Sequence, residues 1–301
     1  MKFLVTGGAG FIGSHIAEEL IKYGEVRILD NLKIGKKEYV LNGCEFVNGD
    51  INDSKAVLDA MKGVDVVLHN AAFVTIRGSF ERMRDVIENN FLGTLNVFEA
   101  AKNSGVGRII FASSMDVYGE PQILPVTEDH PLNTRSLYGL SKISGEMFCK
   151  IFEEKYGIGC TVLRYFNTYG IRQTPSPYVG VITTFINQAL RGETLTVYGD
   201  GNQTRDYVWV KDIAQANMLA ALSKKSGVFN VGSGEELTVN QIADMIINEI
   251  GGKKKYLKAP PGEITKMRAD ISKARRELGY DPKGVLGNKM PGLIDWWKER
   301  I

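Results

Sequence analysis

The sequence predicts an α/β chain built on a doubly wound parallel sheet, with a second, smaller α/β unit. Two observations carry this. Apolar strand patterns and helical patterns alternate through the first half, the order that produces a parallel sheet covered by helices on both faces. The chain also opens as strand, glycine turn, helix: Lys2-Phe3-Leu4-Val5, then Thr6-Gly7-Gly8-Ala9-Gly10-Phe11-Ile12-Gly13, then a helical pattern from Ser14 to Tyr23.

Gly8, Gly10 and Gly13 fit G-x-G-x-x-G, and Gly7, Gly10 and Gly13 fit the looser G-x-x-G-x-x-G. In this context the pattern is the dinucleotide fingerprint. The glycines allow a tight turn and let the backbone approach a pyrophosphate, which sits at the positive end of the helix. A second strand, Val26 to Leu29, ends in Asp30, seventeen residues after Gly13. An acid there accepts hydrogen bonds from both ribose hydroxyls and repels a 2′-phosphate. No Arg follows it directly, so NAD is expected over NADP.

Glu45 to Asp50 reads as strand three, and Ser54 caps a helix to Met61. Val64 to His69 is strand four, ending in Asn70-Ala71-Ala72, where small residues admit a ligand to the backbone. A long helix covers about 81–103, strand five is Arg108 to Ala112 running into Ser113-Ser114, a second long helix covers about 136–156, and strand six is Cys160 to Phe166. Ligands then collect at the carboxyl ends of these strands.

The second half is less regular. Pro175 and Pro177 open a loop, and Val179 to Leu190 is helical. Leu195 to Tyr198 and Asp206 to Val210 are strands around the turn Gly199-Asp200-Gly201-Asn202. A helix from Asp212 to Ser223, a strand Phe229 to Val231, a helix starting at Leu237-Thr238 and a helical tail from about Ile271 follow. The expected division is a Rossmann-type NAD-binding domain over 1–166, with 206–232 returning to it. A smaller substrate-binding domain is expected from 167–205 and 233–301.

At 301 residues, 44% hydrophobic and 24% charged, the chain has the balance of a globular protein with a full core. A net charge of +2 argues against nucleic acid as partner, and Lys253-Lys254-Lys255 reads as a solvated loop. Cys44, Cys149 and Cys160 show no pairing or metal spacing, the latter two reading as small core residues, and with three His there is no zinc pattern. No metal is expected. Strand one begins at the N-terminus, leaving no room for a signal peptide, and no apolar run approaches 18 residues, so no membrane span and a cytoplasmic location are expected.

Tyr138 and Lys142 lie four apart on one helix face, and Ser114 ends strand five 24 residues before Tyr138. A tyrosine is a poor base at its ordinary pKa of about 10; bringing it near 7 takes roughly 4 kcal/mol. A nearby ammonium and a positive nicotinamide ring both favour phenolate. Ser114 would bond the same substrate oxygen, giving a proton relay coupled to hydride transfer at a carbinol carbon.

The glycine turn, Ser114 with Val117-Tyr118-Gly119, and Tyr138-x-x-x-Lys142 resemble the extended short-chain dehydrogenase/reductase family, and within it the nucleotide-sugar epimerases and dehydratases. Arg164-Tyr165-Phe166-Asn167-Thr168-Tyr169-Gly170, Ser176-Pro177-Tyr178-Val179-Gly180-Val181-Ile182 and Tyr198 through Tyr207 are most similar to the UDP-hexose 4-epimerases. The likeness covers nearly the whole chain. It implies a hydride taken from C4 of a UDP-sugar to NAD and returned to the other face of the 4-keto sugar.

By that resemblance Tyr138 is the general base, Lys142 its tuner and a ribose ligand, and Ser114 the partner on O4. Gly7, Gly10, Phe11, Ile12, Gly13, Asp30, Asn31, Asp50, Ile51 and Ala71 join Tyr138 and Lys142 at NAD, with Asp50 and Ile51 at adenine. Thr75 falls near the sugar, Asn167 and Arg205 at the diphosphate, Tyr198 at uracil, Glu263 at a ribose, and Val181 within a substrate motif. The resemblance also implies a homodimer through the helices at about 81–103 and 136–156, where Leu140, Ile143, Met147 and Ile151 form a stripe that Phe148 and Phe152 extend.

Three positions depart from the pattern. Met115-Asp116 follow Ser114; dehydratases carry two acids there and glucuronate decarboxylases an acid only at the second. A decarboxylase or dehydratase is therefore the alternative reading, while Asp116 as a residue that merely orients the loop is the plain one. Pro260 stands where the family often has a diphosphate Arg, for which Lys258, Lys266 or Arg268 would have to compensate. Met267, near the C2 substituent, does not discriminate glucose and galactose from their N-acetyl forms. A third reading, an NAD-sensing binding protein, is opposed by the intact Ser114, Tyr138 and Lys142.

Overall fold

The computed structural model describes residues 1–75, 80–173, 180–259 and 264–301. β1 (Lys2–Thr6), α1 (Phe11–Leu20), β2 (Glu25–Asp30), β3 (Glu45–Asn48), α2 (Ser54–Ala60) and β4 (Val66–His69) follow one another as the periodicity predicts. The first long helix has three consecutive parts: α3 (Met83–Val86), a π-helical segment (Ile87–Leu92) and α4 (Gly93–Asn103). Next come β5 (Arg108–Ser114), α5 (Leu137–Tyr156) and β6 (Gly159–Tyr165).

The second half supplies β7 (Asn167–Tyr169), α6 (Val181–Leu190), β8 (Leu195–Tyr198), β9 (Thr204–Arg205), β10 (Tyr207–Trp209), α7 (Val210–Leu222) and β11 (Gly227–Val231). It closes with β12 (Leu237–Thr238), α8 (Val239–Ile250), β13 (Lys254–Leu257), α9 (Ser272–Leu278) and α10 (Leu286–Lys298).

Seven strands form one sheet in the order β11-β6-β5-β4-β1-β2-β3, and every pairing in it is parallel. The chain runs outward from β1 to β3 and then crosses to β4 on the other side of β1. That reversal is a topological switch point, and the glycine turn lies at its carboxyl end. Two hydrophobic clusters flank the sheet: one includes Phe3, Val5, Ile16, Leu163 and Phe229, the other Leu4, Leu29, Phe98, Phe111 and Phe152. Cys149 and Cys160 are both buried in the second. A third cluster, with Phe185, Ile186, Leu195, Ile242 and Trp297, joins α6, α8 and α10 over the short strands. In α8 the β-branched Val239, Ile242 and Ile246 are buried. Their helix propensity costs a few tenths of a kcal/mol each, whereas burial contributes about 1.5–3 kcal/mol each, so packing decides the element.

Four local expectations differ. α2 is capped by Asp53, whose carboxylate accepts from the Lys55 and Ala56 N–H groups, and not by Ser54, which is its first helical residue. α1 begins at Phe11, because Gly10 occupies the N-cap position. Lys254 and Lys255 are in β13, paired with Leu195 and Thr196 of β8, and Lys254 binds Asp244 at 2.8 Å; a charge run on an edge strand reads in sequence like a loop. Leu237-Thr238 pairs with β9 before Thr238 caps α8 through a capping box with Gln241.

Candidate active site at the switch point

The glycine turn is closed on itself. The Gly7 N–H donates to Leu29 O at 2.8 Å, and the Gly10 N–H to Gly7 O at 3.1 Å. Gly7 has φ +69, and a Cβ there would stand 2.9 Å from the Ala71 backbone; one on Gly13 would stand 2.2 Å from Gly7 O. Side chains would fill this cradle. The first turn of α1, with Phe11, Ile12 and Gly13, carries no side-chain cap and no acid, so its N–H groups and positive end suit an anion.

At the end of β2 the Asp30 carboxylate accepts from Ala9 N–H at 3.0 Å and Leu32 N–H at 2.8 Å, which fixes it beside the turn. Asn31 donates to Asp50 at 2.9 Å and Lys33 lies 3.0 Å from the same oxygen. Burial works against the Asp50 carboxylate, but the Asn52 N–H, Lys33 and Asn31 together hold it below its usual range. Ile51 is buried, and its carbonyl accepts from Asn96 at 2.9 Å. The sequence-predicted NAD residues therefore converge on one rim of the sheet, and their donors and acceptors fit a dinucleotide.

Ser114 ends β5, and α5 brings Tyr138 and Lys142 against it. The Ser114 hydroxyl lies near enough to the Tyr138 phenol to lower its proton affinity. The Lys142 ammonium donates to Ala112 O at 2.8 Å and lies 5.6 Å from the Tyr138 ring centre. Burial pushes the phenol well above its ordinary pKa and the Asp116 carboxylate pushes it further, against the Ser114 hydroxyl. Burial also pushes Lys142 down to about 8, opposed by Glu146. The chain's own residues thus raise Tyr138, the reverse of the direction expected from Lys142 alone. The ammonium is turned toward a carbonyl rather than the phenol oxygen.

The substrate candidates are spread over the second half. The Asn167 amide donates to the Met115 sulfur at 3.3 Å, which places it beside Ser114. Arg205 is half-buried and donates to Thr204 O at 2.8 Å. Tyr198 ends β8 with its ring 42% exposed, and its carbonyl accepts from Gln203 at 2.8 Å. Val181 is the first residue of α6. Thr75 is buried with its hydroxyl unpartnered among the described residues. Met267 is fully buried in the same cluster as Met115. Glu263 and Pro260 lie outside the described residues, as do residues 174–179.

Sequence reasoning missed four positions. Asn90, in the π-helical segment, bonds both backbone groups of Phe73 and the Ser141 hydroxyl. Glu146, one helical turn after Lys142, holds Arg164 in a buried bidentate pair with contacts of 2.6 and 2.9 Å. Ser113 donates to the same carboxylate at 2.5 Å. Asp206 accepts from Ser233, Gly234 and Ala269 and ties three loops together. A polar residue inside a long helix was the only signal for Asn90 and Glu146.

Among the described residues no group of His, Cys, Asp and Glu could hold a metal ion, and no helix is long and apolar enough to cross a membrane.

The profile of the NAD dependent epimerase/dehydratase family matches residues 3–232. A Methanocaldococcus jannaschii protein provisionally named UDP-glucose 4-epimerase is 45% identical over 98% of both chains. A UDP-N-acetyl-alpha-D-glucosaminuronate decarboxylase of Bacillus cytotoxicus is 36% identical over 98% of this chain and 97% of that one. Among solved structures, the UDP-N-acetylglucosamine 4-epimerase of Methanobrevibacter ruminantium, in complex with UDP-N-acetylmuramic acid, superposes with a TM-score of 0.95. It is 37% identical and covers 100% of this chain and 99% of that one. The chain belongs to the NAD dependent epimerase/dehydratase family.

Proposed function

We propose that the chain is a UDP-hexose 4-epimerase that keeps its NAD bound through turnover. The observation that carries this is the approach of Ser114, at the carboxyl end of β5, to Tyr138 near the start of α5, with Lys142 one turn further along that helix. Bound at the glycine turn, NAD supplies a hydride acceptor that also gives the hydride back. Gly7, Gly10, Phe11, Ile12 and Gly13 hold its pyrophosphate, Asp30 and Asn31 its ribose, and Asp50, Ile51 and Ala71 line its adenine side and rim. Tyr138 takes the proton of the sugar 4-hydroxyl and returns it to the 4-keto oxygen. Ser114 hydrogen-bonds that same oxygen. Lys142 holds the ribose and adds positive charge.

Asn167, beside Met115, and Arg205 take the diphosphate; a guanidinium binds two of its oxygens at once. Tyr198 offers its exposed ring to uracil, Thr75 its hydroxyl to the sugar, and Val181 and Glu263 complete the substrate side. In this reading 1–166 with 206–232 binds the cofactor, and 167–205 with 233–301 binds the nucleotide sugar. Six exposed apolar side chains on the two long helices, Met83, Ile87, Leu92, Leu140, Met147 and Ile151, support a homodimer. A cytoplasmic nucleotide-sugar enzyme fits these features.

The second reading, a decarboxylase, draws on Asp116 and on the Bacillus cytotoxicus relative. Against it, the Asp116 carboxylate is already engaged by Ser136 and the start of α5. The test is to incubate the protein, without added NAD, with UDP-glucose, UDP-N-acetylglucosamine or UDP-glucuronate and follow products by NMR. The C4 epimer is the expected product. Carbon dioxide release from UDP-glucuronate, or a 4-keto product without epimer, would give Asp116 the catalytic role instead.

A further inference from the structure

Asn70 bridges the carboxyl edge of the sheet between the glycine turn and the strand beside Ser114. It follows β4, its N–H donates to Thr6 O at 3.2 Å, and a Cβ on Gly7 would stand 3.2 Å from its carbonyl carbon. Strand alternation puts its side chain on the face of Val66 and Leu68, that of the first hydrophobic cluster. On that face it meets Tyr165, which ends β6 and pairs in register with Ser114. β5 lies between the two and presents Ala112 there, a side chain small enough to leave the span open. A dinucleotide held at the glycine turn has to cross this stretch to bring its nicotinamide to Tyr138.

The hydrogen bonds around Asn70 do not close. Two amide oxygens face the Tyr165 hydroxyl, Asn70 Oδ1 at 3.1 Å and Asn217 Oδ1 at 2.9 Å, and a hydroxyl has one proton to give. Asn217 is fixed, because its Nδ2 donates to Ile213 O at 2.8 Å. It therefore takes the proton. Asn70 completes the set when its amide is turned over, so that Nδ2 donates to the phenol oxygen. Oδ1 then occupies the other end of the amide, which is buried and has no partner among the described residues. The neighbouring His69 differs, since Thr6 and Thr94 engage both of its ring nitrogens. A buried acceptor without a donor costs the empty protein stability, and a donor on a bound molecule removes that cost.

We propose that Asn70 is a cofactor ligand, its side-chain carbonyl accepting a hydrogen bond from the nicotinamide half of NAD, either from the ribose hydroxyls or from the carboxamide N–H. This rests on the reading of the glycine turn as the cofactor site with Tyr138 at its nicotinamide end.

The experiment uses the full chain with NADH exchanged into the site. Two dissociation constants are measured for the parent and for Asn70→Leu: that of NADH from its fluorescence, and that of ADP, which has no nicotinamide half, from the NADH it displaces. Asn70→Leu should raise the Kd of NADH roughly tenfold and leave that of ADP at the parental value. Asn70→Ala, smaller, serves where Leu is not accommodated and predicts the same split. ADP-ribose, which carries the second ribose without the ring, identifies the donor. Weakened binding of ADP-ribose in Asn70→Leu supports a ribose hydroxyl, and parental binding beside weakened NADH supports the carboxamide. A folded variant with the parental Kd for NADH overturns the proposal. So does equal weakening of NADH and ADP, which would make Asn70 a residue that only shapes the turn. Gly13→Ala keeps the two failures apart: parental binding of both ligands in that variant overturns the glycine turn as the cofactor site.

Discussion

Both backbone polar groups of Phe73 are satisfied by one side chain. The Phe73 N–H donates to Asn90 Oδ1 at 2.7 Å, and Asn90 Nδ2 donates to Phe73 O at 3.0 Å and to Ser141 Oγ at 3.1 Å. Asn90 is buried and sits in the π-helical segment Ile87–Leu92, whose wider turn interrupts an otherwise α-helical run. It links the loop after β4 to the helix of Tyr138.

Asn90→Leu keeps the volume and strands these groups. Each buried backbone group left unpaired costs about 1–3 kcal/mol, so a loss of a few kcal/mol in urea unfolding is expected. KM for the nucleotide sugar should rise more than kcat falls, because the loop rather than Tyr138 is released. An Asn90→Leu protein with parental stability would show that water replaces the amide.

The glycine cradle makes a sharper prediction about the cofactor. At Gly13 an added methyl would sit 2.2 Å from Gly7 O, and at Gly7 a side chain must adopt φ +69 against Ala71. The left-handed conformation alone costs on the order of 1–2 kcal/mol, and the clash moves the N–H groups that receive the pyrophosphate. Gly13→Ala should therefore purify folded but without NAD, read as cofactor released on denaturation. Parental NAD content in Gly13→Ala would remove the glycine turn from the cofactor site.

How far the sequence revealed these features depends on range. The turn, Asp30, and the Tyr138–Lys142 pair are set by spacing within one element or one strand-turn-helix, and period and glycine position reveal them. Ser114 was found because its strand end falls at the same sheet rim. The Glu146–Arg164 pair and the grip of Asn90 on Phe73 depend on strand register and on how α5 and the long helix cross the sheet. No periodicity encodes that register. Asp116 was visible as a departure from a motif, but its partners Ser136 and Gly139 lie twenty and more residues away, so its orientation was not. The stripe on α5 read as one surface; the structure divides it, with Leu140, Met147 and Ile151 exposed and Phe152 in the core.

Acid should destabilise the protein through two buried histidines. His69 accepts or donates at Thr6 and Thr94, 2.7 and 3.0 Å away, and burial lowers its pKa from 6.5 to about 3. His15 is lowered to about 4 by burial and by Arg172. A depressed pKa means that the unfolded chain binds the extra proton. The stability is fully present above about 6.5 and is lost as pH falls toward the folded values. Asp206, raised to about 6 by burial, has the opposite sign and offsets about one histidine below that pH. Each of the two histidines contributes a fall of about 1.4 kcal/mol per unit as pH drops between roughly 6 and 5, and His69→Asn should flatten the measured slope by about that much. A His69→Asn protein with the parental slope would show that His69 is not the group responsible.

The two long helices carry the prediction about assembly. Met83, Ile87 and Leu92 on one, and Leu140, Met147 and Ile151 on the other, are 43–53% exposed, and the two helices pack side by side. Single exposed apolar side chains are ordinary, but a contiguous set on adjacent helices is the composition of an interface core. A stable interface of ordinary size covers about 800 Å² on each partner, an area that two helices of this length can present. In a two-fold dimer Met147 would meet its own symmetry region, so Met147→Glu would bury two like charges without partners. The parent should sediment at twice the 33.3 kDa chain mass at micromolar concentration, and Met147→Glu at the chain mass itself. Because Tyr138 and Lys142 lie on the buried side of the same helix, the monomeric variant should still hold NAD. A parent that sediments at the chain mass would remove the dimer and leave these side chains as scattered surface residues.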